Sequence, residues 1–129
     1  MRKLHLFVGL AGLAAFLGTG IYLASAAPEH YRRAEALRFI YRANHVYVLL
    51  SSLVNLVLGI YLVPLAAGWR SLSSKIGSYL LLASPLILLL AFVLETSKVT
   101  PERPVTTVGV VLLLLGTLAQ LPNYRRAPP

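Results

Sequence analysis

Long apolar runs alternate with short polar interruptions along the whole chain. The apolar runs cover roughly 5–24, 44–63, 76–94 and 105–121, and each is close to the ~20 residues that a helix needs to cross a bilayer. Because the interruptions are short, consecutive helices are expected to lie antiparallel to one another. The pattern predicts an all-α, polytopic membrane protein with one domain over residues 1–129, an antiparallel four-transmembrane-helix bundle.

The second helix is predicted to begin well before its apolar run. Pro28 suits a first helical position, and Glu29 follows it in what would be the first turn. No glycine or proline then occurs until Gly59. The helix is therefore expected to extend back to about residue 28, with its first turns outside the hydrocarbon core.

The first apolar run has two interpretations. Arg2 and Lys3, the apolar run and the sequence ASAAP fit a secretory signal peptide that is cleaved after Ala26. The apolar stretch is about 18 residues long, however, whereas the core of a signal peptide usually has about 7–15. That length favours an uncleaved transmembrane helix, and both interpretations place residues 25–43 outside the cytoplasm.

Polar side chains interrupt the second apolar run, and they share one face of its helix. At 100° per residue they span an arc of about 120°, and they are Asn44, His45, Ser51, Ser52 and Asn55. A polar group in hydrocarbon needs a partner, which a neighbouring helix can supply. The stripe is therefore predicted to face protein, and helix packing is the favoured role of Ser51, Ser52 and Asn55.

Small or polar residues recur every seven positions in the other apolar runs. The series are His5, Gly12 and Thr19, then Gly77, Ser84 and Ala91, then Gly109 and Gly116. Small side chains at this spacing let helices approach closely. The bundle is therefore predicted to close along a seam of small residues, to which Ser84 contributes a hydroxyl.

Pro85 leads to a separate prediction about the third helix. A proline inside a helix lacks the N–H that would bond the carbonyl four residues earlier, which here belongs to Leu81. The helix is expected to kink at this point. Ser84 or Asn55 is expected to donate a hydrogen bond to the freed carbonyl.

One polar cluster is predicted where two spans end at the same membrane face. The second helix enters the core at Arg42, Asn44 and His45, and the third helix leaves it at Glu95. A carboxylate at that depth needs a partner or water, and Arg42 or His45 is the expected partner. The favoured role is an ion pair that fixes the second helix against the third. The other role is a proton-handling or ligand-binding site in which His45 titrates near neutral pH.

Composition and charge exclude some classes of function. The chain has no cysteine, which excludes disulfide exchange and thiolate metal sites. Its net charge of +8 is carried at the ends of the apolar spans and not in a separate basic patch. No nucleic-acid partner is therefore predicted, and the expected partners are the lipid bilayer and either another membrane protein or a second copy.

The orientation rests on the first span. The twelve basic residues divide equally between the two sides of the membrane, so the overall count does not decide it. Arg2 and Lys3 adjoin the first span, which often dominates, and they favour cytoplasmic termini. The short basic N-terminus and the short loops suggest a bacterial inner membrane.

No arrangement typical of an enzyme is found in the sequence. Ser51 and Ser52 lie ~9–10 Å of helix rise from His45, which is too far for a nucleophile and its base. His5 and His45 begin successive antiparallel helices and so lie at opposite membrane faces, which argues against a haem ligated by both. No catalytic residue and no cofactor is predicted.

A metal site is also not predicted. The candidate ligands His30, His45 and Glu95 are scattered along the chain, and scattered ligands do not form a recognisable metal-binding motif. Two hypotheses for function remain. The favoured one is an accessory or structural membrane subunit, or a small ligand-binding bundle. The alternative is a small proton-coupled transporter that uses Glu95 and His45.

Overall fold

The chain folds as four long helices in a computed structural model, which describes residues 1–26, 29, 35–62, 68–95 and 102–124. The helices are α1 (Arg2–Ser25), α2 (Glu35–Tyr61), α3 (Trp69–Leu94) and α4 (Pro104–Tyr124). Each is long and apolar enough to cross a membrane, and no strand occurs in the described ranges. The predicted all-α, multi-pass helical bundle is confirmed.

Two helix starts differ from the predicted spans. Helix α3 begins at Trp69 rather than near residue 76, directly after Gly68, whose φ of 126° favours glycine. Helix α2 extends back beyond its apolar run to Glu35. The remainder of the predicted extension, towards residue 28, falls mostly outside the described residues.

The helices form two antiparallel hairpins, and each hairpin closes where a glycine allows backbones to meet. A Cβ added to Gly59, late in α2, would lie 2.7 Å from the backbone N and Cα of Leu6, early in α1. A Cβ added to Gly77, early in α3, would lie 2.9 Å from the carbonyl oxygen of Gly116, late in α4. Real Cβ atoms cannot approach backbone atoms this closely, so both hairpins depend on glycine at these positions.

Helices α2 and α3 join the two hairpins, whereas α1 and α4 do not touch within the described residues. Val48 of α2 and Leu81 and Leu88 of α3 are fully buried, and the side chains of the two leucines also pack against Gly116 and Gly109 of α4. The ring of Tyr41 meets the edge of Phe92, with ring centroids 5.6 Å apart. The core therefore lies along the α2–α3 contact, and α1 and α4 are the outer helices.

Candidate functional site

A buried polar cluster links three helices in one half of the bundle. The amide of Asn55 on α2 joins His5 on α1 to the carbonyl of Leu81 on α3, through contacts of 2.7 Å and 2.8 Å. Asn55 also donates to the carbonyl of Ser51, at 2.9 Å. His5, Asn55 and Ser84 are fully buried, and these residues with Leu81 are called the Asn55 cluster below.

The Asn55 cluster exists because Pro85 withholds a backbone donor. The Leu81 carbonyl, which the N–H of residue 85 would otherwise bond, accepts from Asn55 Nδ2 at 2.8 Å and from Ser84 Oγ at 3.2 Å. The expectation that Ser84 or Asn55 donates to the freed carbonyl is confirmed, and the structure shows that both do. Because an unmet carbonyl in hydrocarbon is costly, Asn55 ties α2 to α3 at this level.

The hydrogen-bonding roles of Asn55 determine the tautomer of His5. Both hydrogens of the Asn55 Nδ2 group point at carbonyls, so Oδ1 is an acceptor and His5 Nδ1 carries the proton that it receives. His5 Nε2 then presents a lone pair, and it is buried without a hydrogen-bond partner among the described residues. The heptad series in α1 predicted that His5 faces a neighbour, but its pairing with Asn55 was not predicted.

The two serines of the α2 stripe bond within their own helix. Ser51 Oγ and Ser52 Oγ donate to the carbonyl of Val48, at 3.0 Å and 2.6 Å. Both side chains are fully buried, and Ser52 packs directly against Gly12 of α1. Both serines are small enough for a close contact between helices, and their hydroxyls are hydrogen-bonded within their own helix.

A second polar cluster lies where α3 ends and α4 begins. The carboxylate of Glu95 accepts from the backbone N–H of Val105 at 2.6 Å and of Thr106 at 3.0 Å. Thr106 Oγ1 lies 2.5 Å from the same carboxylate and 3.0 Å from Asn44 Oδ1. Arg103 Nη2 also donates to Asn44 Oδ1. Asn44, Glu95, Arg103 and Thr106 are called the Glu95 cluster below.

Local sequence explains why Glu95 bonds the start of α4. Pro104 occupies the first helical position, where a missing N–H costs nothing. The next N–H groups, of Val105 and Thr106, have no partner within their helix and need an acceptor. A carboxylate at a helix N-terminus also interacts favourably with the helix dipole. Glu95 therefore caps α4 from the end of α3.

The structure brings together only part of the predicted polar cluster. Asn44 and Glu95 meet through Thr106, whereas neither Arg42 nor His45 hydrogen-bonds Glu95 within the described residues. Arg42 is exposed, because it lies two residues and thus about 200° from the buried Asn44 on the helix. The predicted pairing of Glu95 with Arg42 or His45 is replaced by the helix cap.

His45 belongs instead to the contact between α1 and α2. Its ring stacks on Phe16, with ring centroids 4.0 Å apart and 20° between planes. Its Nδ1 lies 2.9 Å from the hydroxyl of Thr19, and Gly20 leaves room for the ring, since a Cβ there would lie 3.2 Å from His45 Cε1. The side chain is held by the first hairpin. His30, a candidate ligand in the sequence, lies outside the described residues.

Arg103 and Thr106 complete the Glu95 cluster and were not among the predicted site residues. Two signals in the sequence could have identified them. Pro104 marks a helix start whose next N–H groups need an acceptor, and Glu95 precedes it by a short connection. An acid followed closely by a proline-initiated helix therefore predicts a cap across the turn.

The hydrogen bonds to Glu95 change its titration. Burial acts to raise the pKa of the carboxyl, but the hydrogen bonds from Thr106 and Val105 and the charge of Arg103 together lower the pKa below the ordinary value. A group whose pKa is lower in the folded state stabilises that state above its ordinary pKa. This stabilisation is lost as the pH falls through the folded-state pKa.

The unfolding temperature of the detergent-solubilised protein is therefore expected to fall as the pH is lowered from neutral into the range where carboxylates protonate. E95Q removes the titrating group and is expected to flatten this dependence. E102Q changes an exposed carboxyl next to the same cluster and serves as the matched control. Equal pH slopes for wild type and E95Q would show that Glu95 does not stabilise the bundle as an anion.

Both polar clusters are built to hold helices together. The carboxylate of Glu95 accepts hydrogen bonds from the start of α4. The amide of Asn55, on α2, bonds His5 of α1 and the Leu81 carbonyl of α3. No group of three or more metal-ligating side chains occurs in the described part of the chain. Comparisons with family models, with curated proteins and with solved structures find no match for this chain.

Proposed function

We propose that this chain is a non-enzymatic accessory subunit of a membrane assembly, with its polar groups used for its own packing. The observation that carries the proposal is the capping of α4 by Glu95. Glu95 is the one buried residue among the four acids of the chain, and its carboxylate accepts from two backbone N–H groups and faces one hydroxyl. A carboxylate held in this way is suited to fixing a helix and poorly suited to exchanging a proton.

The distribution of burial supports an accessory role. Within the most apolar 18-residue stretch of each helix, 50% of the α3 residues are buried, compared with 11% for α1 and 22% for α4. The outer helices thus present long apolar surfaces to their surroundings. We expect these surfaces to meet lipid and another membrane protein, with self-association as the other arrangement.

The alternative of a proton-coupled transporter receives less support from the geometry. A relay needs its titratable groups within hydrogen-bond reach of one another, directly or through one water. Glu95 is bonded by α4, and His45 is stacked on Phe16 and bonded to Thr19. The two residues thus belong to different hairpins and have different partners.

A small-molecule site in a cavity at the start of α3 and the end of α4 is also less favoured. A cavity of about 330 Å³ is lined by Trp69, Arg70, Leu118, Leu121 and Pro122. These residues lie where α3 begins and α4 ends, at the opposite end of that hairpin from Glu95. The cavity therefore shares no residue with either polar cluster.

We further propose that the protein resides in a bacterial inner membrane with both termini in the cytoplasm. Four spans place both termini on the same side. Arg2 and Lys3 adjoin the first span and favour retention of that end in the cytoplasm. Reporter fusions to each terminus would test this orientation.

Two measurements on the full-length protein test the accessory role. Gentle extraction followed by native mass spectrometry is expected to give a stoichiometric assembly heavier than the 14.0 kDa chain. Proteoliposomes that contain a pH-sensitive dye are expected to show no more proton flux with the protein than without it.

Glu95→Gln and His45→Gln provide the discriminating variants for the transport assay. A pH-driven flux that either substitution abolishes, in protein that still accumulates in the membrane, would establish the carrier and overturn the accessory role. A solitary chain in native extracts would count against an assembly. The matched control is E102Q, which changes an exposed acid near the same membrane face.

A further inference from the structure

The cavity at the start of α3 and the end of α4 is open to the surroundings of the protein. It has a volume of about 330 Å³, and its walls are formed by Trp69, Arg70, Leu118, Leu121 and Pro122. Three of these side chains are exposed and the other two are half-buried. A molecule that approaches from outside the bundle can therefore reach the walls of this cavity.

Arg70 supplies a positive charge to the cavity. Its guanidinium carbon lies over the ring of Trp69, 5.6 Å from the ring centroid, which is a cation–π arrangement. Within the described part of the chain, Arg70 forms no hydrogen bond and no ion pair. The guanidinium is a planar fork of N–H donors that matches the oxygen atoms of a phosphate group. The cavity thus presents a cation with unused donors to an incoming anion.

No carboxylate of this chain can neutralise Arg70. The basic residues that the structure describes near this end of the bundle are Arg2, Lys3, Arg70 and Lys75. All four acids lie near the other ends of the helices, and they are Glu29, Glu35, Glu95 and Glu102. The 26 residues of α3 rise by about 39 Å, which separates these acids from Arg70. The charge of this end of the bundle therefore favours an anionic ligand.

The depth of the cavity favours a lipid over a soluble anion. Trp69 and Arg70 precede the apolar run of α3, and Pro122 follows that of α4. In a chain that crosses the bilayer, this level is the boundary between hydrocarbon and headgroups, where tryptophan is enriched and lipid phosphates lie. The leucine and proline walls suit the apolar part of the same molecule. The ligand that fits is therefore amphipathic and negatively charged.

We propose that this cavity binds the headgroup of an anionic glycerophospholipid of the surrounding bilayer. The guanidinium of Arg70 donates hydrogen bonds to the phosphate, and the acyl chains lie against the exposed leucines of α4. A zwitterionic lipid carries its own cation beside the phosphate, so it gains less from Arg70. The site depends on the cavity and on Arg70, and it is independent of whether the chain assembles with another protein.

The single tryptophan of the chain reports on this site. Trp69 lines the cavity, so a brominated lipid bound there quenches the tryptophan fluorescence. The full-length protein is reconstituted in phosphatidylcholine, and quenching by brominated phosphatidylglycerol is compared with quenching by phosphatidylcholine brominated at the same acyl positions. Phosphatidylglycerol is expected to bind beside Trp69 with at least roughly fivefold higher relative affinity, the contribution of one basic residue near an anionic membrane surface.

Variants assign the preference to the cavity. R70Q removes the cation and is expected to bring the two affinities close to each other. L118F keeps the charge but adds bulk to the cavity wall, and it is expected to weaken the preference for phosphatidylglycerol. K75Q is the matched control, because Lys75 is an exposed cation of the same helix that does not line the cavity. It is expected to keep the wild-type preference.

Four outcomes would overturn the lipid site. Equal quenching of the wild-type protein by the two lipids would show that the cavity does not select an anion. Equal losses of preference in R70Q and K75Q would show a diffuse attraction to basic residues. A full preference in L118F would place the lipid outside the cavity. Relief of the quenching by soluble glycerol 3-phosphate would identify a soluble anion as the ligand.

Discussion

Asn55→Leu is expected to lower the free energy of unfolding by about 2–4 kcal/mol, on the scale of buried donors and acceptors that lose their partners. The substitution keeps the volume but removes the contacts to His5 and Leu81. The imidazole N–H of His5 then loses its acceptor, and the Leu81 carbonyl is left with the longer bond from Ser84. Unfolding in mixed micelles, or steric trapping in bicelles, measures the change.

A double-mutant cycle with Pro85→Ala tests the stated cause. Alanine at position 85 supplies the backbone N–H that can bond the Leu81 carbonyl. Asn55→Leu should then cost about 1 kcal/mol less than it does beside proline, a coupling in the range seen between contacting residues. Additive effects would show that Asn55 does not substitute for the missing N–H.

Ser52→Ala is the matched control for Asn55→Leu. Ser52 is buried on the same helix face, but its hydroxyl bonds only the carbonyl of Val48 in its own helix. Its removal breaks no bond between helices. We expect a change below about 1 kcal/mol, in keeping with the modest net value of such bonds.

Gly59→Ala is expected to destabilise the first hairpin by about 1–3 kcal/mol, the usual cost of overpacking a well-packed contact. The added methyl group would lie 2.7 Å from the backbone of Leu6. Backbone atoms cannot turn aside as a flexible side chain can, so α1 must shift away from α2. The same unfolding measurement applies, and crosslinking between α1 and α2 should also decrease.

Gly18→Ala, on α1, is expected to stabilise the protein slightly, in contrast to Gly59→Ala. Nothing lies within 4 Å of a Cβ at this position, so the new methyl group meets open space. Alanine is favoured over glycine in a helix interior by about 0.5–1 kcal/mol, and a small stabilisation is expected. If both glycine substitutions have the same sign and size, helix propensity and not close packing controls the hairpin.

Much of the fold could be predicted from the sequence because it depends on local and periodic properties. The lengths of the apolar runs indicated the number of helices, and the short connections indicated their antiparallel order. Pro85 identified the Leu81 carbonyl as a group in need of a donor, and the α2 wheel placed Asn55 on the interior face. The bond between Asn55 and the Leu81 carbonyl could be predicted because proline lacks the backbone N–H, and a sequence shows every proline directly.

The partners of Glu95 were harder to predict because charge was a misleading guide. The sequence offered Arg42 and His45 as oppositely charged or basic partners at the same depth. The carboxylate instead accepts from the backbone N–H groups of Val105 and Thr106. Every residue except proline has a backbone N–H, so the residue types in a sequence do not reveal such a partner. The free N–H groups at a helix N-terminus compete with basic side chains to bond a carboxylate. Here the connection from Glu95 to α4 is short, which favours the bond to the helix N-terminus.

The joining of two hairpins through α2 and α3 has a consequence for biosynthesis. The ribosome completes α1 and α2 before α3, so the first hairpin can form its His5–Asn55 contact while the chain is still growing. One hydrogen of the Asn55 amide has no acceptor until α3 is inserted, because that acceptor is the Leu81 carbonyl. A chain that stalls before α3 is inserted thus carries an unpaired amide hydrogen in hydrocarbon, and the arrival of α3 completes assembly by removing it.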